Sequence, residues 1–137
     1  MTRIQPISVR LGEETHLLVE DEARRSGRSR NAVVEELTGE AAKMRLFPGI
    51  GFRDRPRRAW VIGTALDVWQ LIDLLDGYGG SVKRLCKNHE LVTERAVQIA
   101  EAYAERFPAE IEAFLALQRR TPAELQALHP FIEFREI

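Results

Sequence analysis

The sequence is short of cysteine, of histidine and of long apolar runs, and each shortage excludes something. Cys86 is the one cysteine in 137 residues. An internal disulfide needs two cysteines and a multi-cysteine zinc site needs more, so neither is expected, and the chain points to the cytoplasm. No apolar run approaches the ~20 residues that span a bilayer. The start, MTRIQPISVRL, has no apolar h-region, so no secretory signal is expected. His16, His89 and His129 are scattered, without HxxxH or HExxH spacing. Gly77, Gly79 and Gly80 follow a helical stretch rather than a strand, so the phosphate-loop and dinucleotide patterns fail. Asp73 and Asp76 share a helix face but have no third ligand nearby, and Ser81 and Cys86 have no adjacent base. No catalytic residue, metal ligand or cofactor is therefore expected, and the chain reads as a non-enzyme.

The composition is that of a folded protein, 45% apolar and 30% charged, which is enough to build a core and too apolar for disorder throughout. The net charge of -1 hides an uneven distribution. Residues 1–45 hold eight basic and eight acidic side chains, residues 46–89 seven and four, and residues 90–137 five and nine. The middle is thus basic and the last third acidic. Arginines cluster at Arg24, Arg25, Arg28 and Arg30 and again at Arg53, Arg55, Arg57 and Arg58.

Along the chain, Ile7, Val9 and Leu11 alternate with Pro6, Ser8 and Arg10, the period of a strand with one apolar face. A lone strand leaves its edge unpaired, so pairing with a second copy of itself is expected. Two helices follow. The first opens on Glu13 and Glu14 and stops at Gly27; the second is capped by Ser29 and carries Val33, Leu37, Ala41 and Met44 on one face. Phe47-Pro48-Gly49 starts a new unit. A short hairpin is expected about the charged turn DRPRR, whose arginines read as a solvated turn or a second phosphate-contacting loop. Next come a strongly apolar helix through Leu66 to Leu75, a short helix capped by Ser81, a longer one capped by Thr93, and further helix starts at Pro108 and Thr121. Helix, turn, short helix, turn, longer helix is a trihelical layout. The end, FIEFREI, is apolar enough to want a covering surface, on a partner or on its own domain.

ISVRL, ARRSGRS and NAVVEEL together resemble the ribbon-helix-helix family of DNA-binding repressors and antitoxins over roughly the first third of the chain. The resemblance implies a homodimer through the N-terminal strand. Pro6, Ser8 and Arg10 would then face base edges, and the backbone N–H groups of Ser29, Arg30 and Asn31 at the start of the second helix would clamp a phosphate. Glu22 and Ser26 depart from the family's apolar pattern, so the first helix is expected to pack less well.

From about Gly51 to Ile111 the chain resembles a helix-turn-helix-like domain of bacterial antitoxins, through GTALDVW, YGGS and AYAERFPAEI. Both resemblances together make the chain look like a VapB-type antitoxin. The implied fold is mainly α with one N-terminal strand: a ribbon-helix-helix dimer domain over 1–46, a trihelical helix-turn-helix-like domain with a short β-hairpin over 47–120, and a C-terminal helical tail over 121–137. The implied function is to neutralise a PIN-like ribonuclease toxin and to repress the operon by binding operator DNA. Phe131, Ile132, Phe134 and Trp69 would be toxin-binding, with Arg135 reaching the toxin's metal carboxylates. The acidic last third would suit a basic RNA-binding groove. Other readings are a stand-alone dimeric ribbon-helix-helix repressor, whose second domain binds DNA or oligomerises, and a purely structural dimerisation protein.

Overall fold

The structure, a computed structural model, describes residues 4–131. It divides into two compact units, Met1–Lys43 and Met44–Ile137.

In unit 1, residues 4–11 form neither helix nor strand, and α1 (Glu13–Ser26) and α2 (Arg30–Leu46) follow. Glu13 and Glu14 in the first turn of α1 and Arg24 and Arg25 in the last suit the helix dipole. Gly27 ends α1 in the left-handed region, with φ 66°. Ser29 Oγ accepts the Ala32 N–H at 3.1 Å and so caps α2. Between the helices Arg30 reaches Glu20 at 3.0 Å, and Arg28 in the linker reaches Glu36 at 2.9 Å.

The N-terminal strand expected from the alternation of Ile7, Val9 and Leu11 is therefore corrected. A strand is defined by its ladder, and alternation supplies only the side-chain pattern. Residues 4–11 meet no second strand among the described residues, and Ile4, Ile7 and Val9 stay 91%, 84% and 67% exposed. Among the described residues the one sheet is a hairpin that comes after α1 and α2, not before them as a ribbon-helix-helix fold requires.

That hairpin opens unit 2. Strands β1 (Ile50–Arg53) and β2 (Arg58–Val61) pair antiparallel, with Ile50 opposite Val61, Gly51 opposite Trp60, Phe52 opposite Ala59 and Arg53 opposite Arg58. Five helices follow: α3 (Val68–Gly77), α4 (Val82–Asn88), α5 (Glu94–Arg106), α6 (Pro108–Gln118) and α7 (Pro122–Leu128). Polar residues set their starts. Ser81, Thr93 and Thr121 accept from the backbone of Arg84, Ala96 and Glu124, and Glu124 in turn accepts from the Thr121 N–H. Helix α5 is the centre of the core. Its Val97, Ala100 and Tyr103 are fully buried with Val68 and Leu71 of α3, Leu85 of α4, Ile111 and Leu115 of α6, and Ile50 and Val61 of the hairpin. The chain is thus mainly helical, and no helix among the described residues is long and apolar enough to cross a membrane.

Candidate binding surfaces

The arginine-rich turn is held by a residue that sequence reasoning passed over. Asp67, 3% exposed, stands immediately before α3. Arg53 Nε donates to its Oδ1 at 2.8 Å, Arg58 Nε to its Oδ2 at 2.5 Å, and Trp69 Nε1 to Oδ2 at 3.1 Å. Gln70 Oε1 accepts the Asp67 N–H at 2.8 Å. Arg58 also donates to the carbonyls of Asp54 and Pro56, and the Arg53 guanidinium lies 5.0 Å from the Trp60 ring centroid. Two charge-assisted bonds to one buried carboxylate fasten both strands to the start of α3. Arg57 pairs with Asp54 at 3.1 Å. Three of the four arginines thus serve the hairpin itself. The signal in the sequence was GTALDVW, read only as part of a resemblance.

Of the expected base-reading residues, Pro6, Ser8 and Arg10 are exposed on the N-terminal segment. At the expected phosphate clamp the side chains are engaged within the chain, Ser29 capping α2 and Arg30 pairing with Glu20, while Asn31 is exposed; these bonds leave the backbone N–H groups of the clamp untouched. Of the expected toxin-binding residues, Trp69 is half-buried, bonded to Asp67 and stacked on Phe114 with ring centroids 6.3 Å apart. Phe131 is 82% exposed and meets His129 edge-on at 5.7 Å. Ile132, Phe134 and Arg135 lie outside the described residues. Among the described residues no group of three or more His, Cys, Asp or Glu side chains could hold a metal ion. His16 faces Glu20 at 3.5 Å, and the Nε2 of His89 shares a hydrogen bond with the Tyr78 hydroxyl at 3.2 Å.

No family model, curated protein or solved structure matches the chain. With the hairpin placed after α1 and α2, this overturns the ribbon-helix-helix and VapB-type assignment. The partners that came with it lose their footing too: the PIN-like ribonuclease toxin, the operator DNA and the homodimer through an N-terminal strand. Among the described residues the N-terminal segment forms no strand to pair.

Two surfaces are left with more apolar area than solvent favours. In unit 1 a cavity of about 510 Å³ opens between the N-terminal segment and the helices, walled by Ile7, Val9, Leu11, Val19 and Val34 and edged by His16, Arg30 and Glu35. In unit 2 two adjoining hollows of about 260 and 290 Å³ share Pro48, Arg95 and Ile99. Leu46, 76% exposed, lines the first and Ile62, 54% exposed, lines the second.

Proposed function

We propose that this chain is a non-catalytic binding protein whose unit 1 completes its core on another polypeptide chain. One observation carries the reading. Within the described part of unit 1 only Val19 and Val33 are buried, while Ile7, Val9, Leu17 and Leu18 are each more than half exposed. Two buried valines are too little apolar burial to hold a pair of helices, which draw most of their stability from packing an amphipathic face. Ile7 and Val9 also wall an open cavity together with Leu11, Val19 and Val34. Exposed apolar surface of this kind marks an interaction site.

We further propose that the chain acts on a separate target protein by occupying it. It needs no catalytic group and belongs in the cytoplasm, the location expected of a single-cysteine chain. The test is hydrogen exchange on the purified chain, alone and in the complex isolated from its native cells. Unit 1 amides should exchange orders of magnitude faster than unit 2 amides in the free chain and become protected in the complex. A free chain that sediments as a monomer with unit 1 as protected as unit 2 would refute the binding reading. Protection that rises with concentration of the pure chain alone would refute occupation of a separate target.

A further inference from the structure

The geometry points to the paired hollows of unit 2 as a docking groove for a segment of another protein that carries a carboxylate between large apolar side chains. This does not depend on the reading of unit 1. Arg95 is the one charged side chain lining either hollow; the other walls are apolar or neutral, chiefly Leu46, Pro48, Ile62 and Ile99. Arg95 is exposed and, among the described residues, has no ion-pair partner, so its guanidinium is open to a ligand.

Its position gives nothing back to its own helix. Arg95 lies in the first turn of α5, where a cation opposes the helix dipole. Capping there is done by Thr93, and Glu94 supplies the favourable charge. An unpaired guanidinium between two apolar hollows is complementary to an anion flanked by apolar groups, and a carboxylate takes a guanidinium in bidentate geometry. The groove floor is built for close approach. Gly49 has φ +105°, and a Cβ there would come within 2.7 Å of Ile99 Cδ1. The positive φ favours glycine there, and a Cβ would displace the end of the Ile99 side chain that lines both hollows. Both hollows are open and both are lined by Pro48, Arg95 and Ile99, so a peptide carboxylate at Arg95 would have apolar wall beside it.

The test uses the full-length isotope-labelled chain and two synthetic capped peptides, Leu-Leu-Glu-Leu-Leu and Leu-Leu-Gln-Leu-Leu, each with a solubilising poly-glycol tail. Saturable amide shifts should centre on Gly49, Ile62, Arg95 and Gln98 with the glutamate peptide. Affinity should fall about fivefold for the glutamine peptide, the upper end of what an exposed ion pair contributes. The Arg95→Gln protein should lose the same factor and no longer distinguish the two peptides. The thermal midpoint of Arg95→Gln reports its folding, and Ile62→Ser, at a second exposed wall residue, should weaken both peptides alike. Absent shifts, shifts centred elsewhere, or equal binding of both peptides to the parent protein would overturn the proposal.

Discussion

Replacing Asp67 by alanine removes one carboxylate and strands two arginines. The Asp67 side chain is 4% exposed, and the Arg53 and Arg58 side chains are 32% and 20% exposed. Breaking a buried ion pair from one side leaves an uncompensated charge and costs about 3–5 kcal/mol when burial is complete. Partial solvent access to both guanidiniums lowers this, so about 2–4 kcal/mol is expected. The Trp69 indole N–H loses its acceptor as well. For a domain the size of unit 2 this corresponds to a fall of about 10–20 °C in the thermal midpoint. Urea denaturation followed by tryptophan fluorescence measures it, because Trp60 and Trp69 are the only tryptophans and both lie at the network. The Arg57–Asp54 pair supplies the control. It joins residues three apart with side chains 36% and 59% exposed, so Asp54→Ala should cost less than about 0.5 kcal/mol through that pair. An Asp67→Ala protein within 1 kcal/mol of the parent, or no more affected than Asp54→Ala, would refute the claim that this carboxylate fastens the hairpin.

Other substitutions probe separate parts of the fold. Tyr103→Phe removes a hydroxyl that donates to Glu110 Oε2 at 2.7 Å from a fully buried ring; a loss of about 1–2 kcal/mol in urea denaturation is expected. Gly49→Ala combines a left-handed backbone with a Cβ driven against Ile99; about 1–3 kcal/mol should be lost, with the largest amide shift changes in the turn at 47–49 and around Ile99. Leu18→Ser alters a side chain that is 63% exposed, so the denaturation midpoint of the isolated chain should hold within about 0.5 kcal/mol, while recovery of the native complex falls.

What could be read from the sequence was what short-range rules decide. Gly27 stops α1, and Ser29, Ser81, Thr93 and Thr121 cap the helices they precede. Each signal sits within four residues of what it controls. The hairpin about DRPRR forms for the same reason, since its strands are joined by a short turn. The N-terminal segment failed because its fate depends on a second strand, and alternation of Ile7, Val9 and Leu11 carries no information on whether one exists. The turn Asp54–Arg57 is exposed, as a solvated turn would be, but the partner of the flanking arginines was not legible for a related reason. Arg53 and Arg58 find their partner fourteen and nine residues away, and a run of arginines looks the same whether it faces solvent or closes on a buried acid. Arg95 gave no pattern at all. Its setting arises only when the end of α2, the turn at 47–49, the end of β2 and the first turn of α5 come together.

The Asp67 carboxylate also decides how unit 2 comes apart. A two-stranded hairpin is marginal by itself and ordinarily frays ahead of the helices beside it. Here the strands cannot peel away without leaving Asp67 inside with no cation, and α3 cannot melt from its first turn without releasing the acid that both strands share. Hairpin and helix therefore open together or not at all. Slow amide exchange should extend outward to Arg53 and Arg58, so that a small edge element inherits the lifetime of the core.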